Sequence, residues 1–199
     1  MDLLRNCLVK ICNSVNTYMN NLDPRQDSWV ILSSIVGQNG TTNKDAVGKI
    51  VMTVYNITRE SFASSYSPAT MAPPSANAAL GLTIVPPPIY LDIHLMFMAN
   101  FTDHAYPDGL AALSSLIGFF QQTPVINQQN TPGLSPEIDQ LTLDLEHLSP
   151  VDVNYVMGML GTRYLPSAFY KLRMIPFASR AMQARTYAVS GSGMGDIGA

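Results

Sequence analysis

Apolar residues recur along the chain with two periods, and the switches between them mark out its elements. In residues 2–21, Leu3, Leu4, Cys7, Leu8, Ile11, Val15, Tyr18 and Met19 share one stripe of a 3.6-residue period, which predicts an amphipathic helix ending before Pro24. Residues 28–37 read as a short strand, followed at 38–43 by an Asn-Gly turn signal. Over 46–60, Ile50, Met52 and Val54 alternate with Val51, Thr53 and Tyr55, as in a strand. Residues 86–101, PPPIYLDIHLMFMANF, alternate in the same way. Ile89, Leu91, Ile93, Leu95, Phe97 and Ala99 form a plain core face, and Tyr90, Asp92, His94, Met96, Met98 and Asn100 form a mixed one. Something must cover that second face: the chain's own helix, a substrate or another protein.

The helical period returns at 104–122, with Tyr106, Leu110, Leu113, Leu116, Ile117 and Phe120 on the expected buried side. A turn-rich stretch (126–137) precedes a half-exposed strand at 138–148, with Leu141, Leu143 and Leu145 facing one way and Thr142, Asp144 and Glu146 the other. Helix punctuation is strong at 149–161: Ser149 as N-cap, Pro150 at the first position, Asp152 in the first turn and Gly161 at the end. Residues 168–177 are a last strand. The order α-β-β-β-α-β-α-β predicts an α/β (α+β) fold, a single domain whose mixed or antiparallel sheet is flanked by helices. Two segments stand outside it. Residues 61–88 are rich in Ser, Ala and Pro and read as a mobile excursion from a domain spanning 1–177, and 178–199 read as a flexible C-terminal arm.

Composition shifts the picture towards assembly. Charged residues make up 13% of the 199 residues, with a net charge of −3, about half of the roughly 25% usual for soluble domains. So little charge suits a chain whose exterior is covered by partners. The two cysteines, Cys7 and Cys12, are separated by about 140° on a helix and cannot bridge, so they read as buried thiols. The start, MDLLRNCLVK, lacks the pattern of a secretory signal, and no run approaches a membrane span.

The order of the charges says more than their sum. From Glu60 to Thr162 there are nine acids and no Lys or Arg; from Arg163 to Gly195 there are five bases (Arg163, Lys171, Arg173, Arg180 and Arg185) and no acid. The two regions can pair within one subunit or head to tail between subunits. The second possibility makes those five bases, with Tyr187 of the arm, the candidate partner-binding residues.

Signals of catalysis are thin. Asp92 and His94 share a strand face and His104 follows, but no spacing of a metal site or hydrolase is present. The Gly-x-Gly spacing at 191–198 has no preceding strand and reads as a tail, not a phosphate loop. No cofactor is expected, and net acidity argues against nucleic acid.

Several unlinked motifs together resemble a known family. They are the proline-led strand ending Ala-Asn-Phe, the helix ending Phe-Phe-Gln before a Thr-Pro turn, the Leu-x-Leu-x-Leu-x-x-Leu strand, the Gly-closed helix and YLPSAFYKLRMIPF. With the first helix and VGKIVMTVYNITRE, the likeness spans residues 1–178. It resembles the cap, or tail-terminator, proteins of phage-tail-like contractile injection systems of the antifeeding-prophage and virulence-cassette type. That resemblance implies a non-enzymatic protein, assembled in the cytoplasm into a hexameric ring at the end of the particle away from the baseplate. There it would stop the inner tube and hold the last sheath ring, without inserting into a membrane. Its partners would be its own copies, sheath and tube, and the arm at 178–199 would add a strand to a neighbour. The alternatives are an α/β ligand-binding or enzymatic domain using Asp92, His94 and His104, or an adaptor module binding through its C-terminal arm.

Overall fold

The structure is a computed structural model that describes residues 2–37, 40–41, 43–60, 71–72, 81–84, 89–101, 103–177 and 184–187. The chain divides into two compact units, one of Met1–Glu60 with Tyr90–Pro176, the other of Ser61–Ile89 with Phe177–Ala199.

The first unit is built on a six-stranded sheet in the order β1-β2-β5-β8-β7-β6. Its strands are β1 (Val30–Leu32), β2 (Lys49–Arg59), β5 (Ile89–Asn100), β6 (Val125–Asn127), β7 (Gln140–Leu145) and β8 (Ser167–Phe177). β1 runs parallel to β2, while β2–β5, β8–β7 and β7–β6 are antiparallel. The sheet is therefore mixed, as the element order predicts. The parallel start makes the segment between β1 and β2 a crossover.

Two helices cover one face. α1 (Leu3–Leu22) buries Leu3, Cys7, Leu8, Ile11, Cys12, Val15 and Met19, the expected stripe in all but Leu4 and Tyr18, which are half-buried. Both thiols are free, and burial pushes them up, Cys7 to about 12 and Cys12 to about 11. Asn16 ties α1 to the sheet edge. Its amide donates to Val30 O at 2.8 Å and accepts from Val30 N at 2.9 Å, standing in for a neighbouring strand. α2 (Tyr106–Gln122) lies beside α1, with the Tyr18 and Phe119 rings 5.3 Å apart. Phe120 reaches the sheet between Phe97 and Tyr170, at 5.4 and 4.8 Å.

The expected buried side of α2 needs correcting. Leu113, Leu116 and Phe120 are buried, joined by Ala112 and Phe119, but Tyr106, Leu110 and Ile117 point outward. The helix carries apolar residues around most of its circumference, so periodicity alone could not choose the inward face.

The mixed face of β5 is covered by the chain itself. α3 (Pro150–Met159) lays Met157 on Met96, Met98, Val51 and Phe169, with Ile35 and Ala46 of the β1–β2 crossover beside them. Residues 92–99 are buried on both faces. α3 starts as its sequence predicts, with a reciprocal capping box between Ser149 and Asp152, and Gly161 at φ 67° turns the chain after it.

The second unit holds a three-stranded antiparallel sheet, β3-β4-β9, made of β3 (Met71–Ala72), β4 (Gly81–Ile84) and β9 (Ala184–Tyr187). Gly81 pairs with Tyr187 and Ile84 with Ala184. The Pro-rich excursion and the C-terminal arm, read separately from the sequence, thus supply strands to one sheet. The arm's strand pairs inside its own chain. The mobility expected of 61–88 and 178–199 falls mainly on residues outside the described set.

Candidate functional site

Two places could carry function, the polar end of the mixed sheet face and the outer surfaces of the helices.

Beyond Met96 on β5, the pleat points His94 and then Asp92 to the same side. A register shift between Val54 and Asn56 on β2 sits beside them. Tyr55, at that irregularity, donates from its hydroxyl to Glu146 Oε2 at 2.7 Å. His94 Nδ1 is 3.0 Å from the same oxygen, and its Nε2 is 3.0 Å from Thr58 Oγ1. Burial raises the pKa of Glu146, but the hydrogen bonds from His94 and Tyr55 outweigh it and hold the carboxyl below its ordinary value. Burial and the Glu146 carboxylate together push the Tyr55 phenol upward.

The second cluster is centred on Arg173. Its Nε donates to Glu60 Oε2 at 2.9 Å, its Nη2 to Glu60 Oε1 at 3.2 Å and its Nη1 to Asp144 Oδ2 at 3.4 Å. These contacts push its guanidinium further towards the charged form. Asp92 lies beside Glu60. Burial and that second carboxylate push its pKa up to about 6, against the pull of Arg173 and Lys171.

Every ionisable side chain named here is thus set against others of the same chain. His104 is elsewhere, exposed in the short 3-10 turn between β5 and α2. The structure does not bring Asp92, His94 and His104 together as one catalytic set. Among the described residues no group of three or more His, Cys, Asp or Glu is placed to hold a metal ion.

The outer surfaces are different in character. On α3, Val151, Tyr155 and Met159 form an exposed stripe, and Tyr164 just after the helix is 72% exposed. A groove of about 760 Å³ runs beside them, lined by Leu148, Val153, Met157, Leu165 and Phe169, with Arg163 on its wall. Across the sheet, the C-terminal end of α1 and the N-terminal half of α2 enclose a cleft of about 550 Å³. Met19, Leu22, Trp29, Phe101 and Ala112 line it, with Asp23 and Asp108 among its polar groups. Arg25 stacks on Trp29 with its guanidinium carbon 4.5 Å from the ring centroid, and donates to Gly48 O at 3.1 Å.

The sequence matches the family model of the Pvc16 N-terminal domain over residues 11–190. The chain belongs to that family. No curated protein matches the sequence. Among solved structures, the fold is similar to a PVC sheath/tube terminator of an extracellular contractile injection system in its extended state. The TM-score is 0.57 and the identity 12%, over 89% of this chain and 60% of that one. It is also similar to the anti-feeding prophage cap, a tube-terminating cap, with a TM-score of 0.55 and 12% identity over 88% of this chain and 58% of that one. At such identity the likeness is one of fold. The chain spans about three fifths of the length of either structure.

In this Pvc16-family fold the candidate partner-binding residues are dispersed. Arg163 is exposed at the α3 groove. Lys171 and Arg173 lie on β8, and Arg173 is held by Glu60 and Asp144, the within-subunit pairing that segregated charge also allows. Arg185 and Tyr187 are in β9, and Arg180 lies outside the described residues. Sequence reasoning missed Tyr55, Tyr155, Tyr164 and Asp108 as surface or network residues. The one signal for the α3 surface is the spacing of Val151, Tyr155 and Met159, four residues apart on one helical face.

Proposed function

We propose that this chain is a structural, non-enzymatic terminator: a subunit of a hexameric ring at the baseplate-distal end of a contractile injection particle. The ring ends the inner tube and anchors the last sheath ring. The observation that carries this reading is the match to the Pvc16 N-terminal domain over residues 11–190, in a chain whose fold resembles two solved terminators. Two further features support it. The acid–histidine face that could have served an enzyme is engaged within the subunit. The exposed apolar residues lie on both helical layers, as a subunit covered on more than one side requires.

In this reading the subunit assembles in the cytoplasm and becomes part of a phage-tail-like particle. No helix among the described residues is long and apolar enough to cross a membrane. β9 is an edge strand of its sheet, so the strand contact expected of the C-terminal arm would extend that sheet into a neighbouring cap or sheath subunit.

The test is to locate the chain in assembled particles. A tag on this protein, imaged with a gold label, should mark one end only, opposite the baseplate. Label along the shaft, or at the baseplate, would contradict the reading.

A further inference from the structure

The helix surfaces on the two sides of the sheet differ in a way that suggests a single contact made twice. On the α3 side stands a projection: Tyr155, Met159 and Tyr164, all more than 60% exposed, with Arg163 beside them. On the α1–α2 side lies the cleft lined by Met19, Phe101 and Ala112, with Asp23, Arg25 and Asp108 among its polar groups. Arg163 forms no ion pair among the described residues, and neither does Asp23 or Asp108. Asp108 is exposed in the first turn of α2, where the helix dipole favours its charge.

We propose that these two surfaces bind each other between copies of this chain: Tyr164 enters the α1–α2 cleft of the next subunit, and Arg163 pairs with its Asp108. The occupant is a second copy because the complement is present on the same molecule. Among the described residues, Arg163 makes no ion pair on one side of the sheet and Asp108 makes none on the other, where Arg25 of the same cleft is stacked on Trp29 and donates to Gly48 O. Tyr, Met and Arg are the residues enriched at interface centres. A contact between unlike surfaces leaves both halves open on a dimer, so it propagates, and the ring proposed above is the form in which its rotation closes rather than running on as a filament. The inference rests on the ring proposed above and names the surfaces that make it. Asp144 and Glu60 play no part, since Arg173 already holds them.

The experiment uses the full chain in sedimentation and native mass measurements across a concentration series. Arg163→Glu and Tyr164→Ala should each raise the concentration needed for assembly by about tenfold or more. Circular dichroism should be unchanged, because both side chains are exposed. Asp108→Arg should weaken assembly alone and restore it when combined with Arg163→Asp. Lys44→Glu, exposed and outside both surfaces, should leave it intact. Arg163→Cys combined with Asp108→Cys should join copies through a short thiol cross-linker, with the buried Cys7 and Cys12 silent. Rings that form normally in all these variants, or that respond equally to Lys44→Glu, would overturn this interface and leave the ring reading standing. A wild-type chain that stays monomeric, even with its tube protein, would overturn both.

Discussion

Arg173 closes on Glu60 through two hydrogen bonds, at 2.9 and 3.2 Å, between residues 113 apart in the chain. Glu60 is 4% exposed. Its carboxylate, with Asp92 beside it, is tolerable there because one guanidinium fork answers it.

Removing that fork should be costly. Arg173→Met leaves two neighbouring carboxylates facing a low-dielectric interior, and the expected loss is about 3 kcal/mol, the low end for a broken buried pair because Arg173 is partly exposed. Urea denaturation should show it as a lower midpoint with an unchanged slope. Adding Glu60→Gln should recover part of the loss. If the two substitutions are additive, the residues are not coupled.

The pH dependence follows from Asp92. Its folded pKa, about 6, lies above the ordinary 3.8, so the native state binds this proton more tightly than the unfolded chain. Stability from this group is present below about pH 4 and is lost as pH rises to about 6. Glu146 acts in the opposite sense and lower down: its pKa is depressed below 4.5, so its contribution is lost as pH falls beneath that value. Asp92→Asn should therefore raise the melting temperature at pH 7–8 and flatten the slope between pH 4 and 6. An unchanged slope would mean that Asp92 is not the group responsible.

Asn16 should matter more than its place on a helix suggests. Asn16→Ala leaves the N–H and carbonyl of Val30 without the partners it provides. The expected loss is about 1–3 kcal/mol, with β1 exchanging its amide hydrogens faster than the rest of the sheet. Protection of the Val30 amide equal to wild type would count against the clamp.

Ser149→Ala removes the capping box of α3 and should cost about 1 kcal/mol. Because α3 carries Tyr155 and Met159, the same change should also weaken self-association slightly. Binding that is unaffected while stability falls would show that the cap serves folding alone.

Much of the first unit was legible in the sequence because local signals agree with tertiary packing there. The α1 stripe, the two-faced alternation of 89–100 and the caps at Ser149 and Gly161 all give the observed elements. What stayed hidden has physical causes. The outward turn of Leu110 and Ile117 is invisible because both flanks of α2 are apolar. β6 is three residues long and owes its strand state to pairing with β7, a non-local contact with no local signature. The pairing of β4 with β9 joins segments about a hundred residues apart, and β-prone residues such as Thr186 and Tyr187 do not by themselves name the strand they meet. As for the site, the sequence showed that acids and bases are segregated, but not that Arg173 closes on its own chain while Arg163 forms no ion pair among the described residues.

The most direct test of the account is the length of inner tubes assembled from the particle's own tube protein with this chain added in increasing amounts. Electron microscopy should show elongation stopping, with shorter tubes at higher ratios and a six-fold ring of this chain at one end of each. Tubes of the same length distribution at every ratio, with no density at their ends, would contradict the claim that this protein terminates the tube.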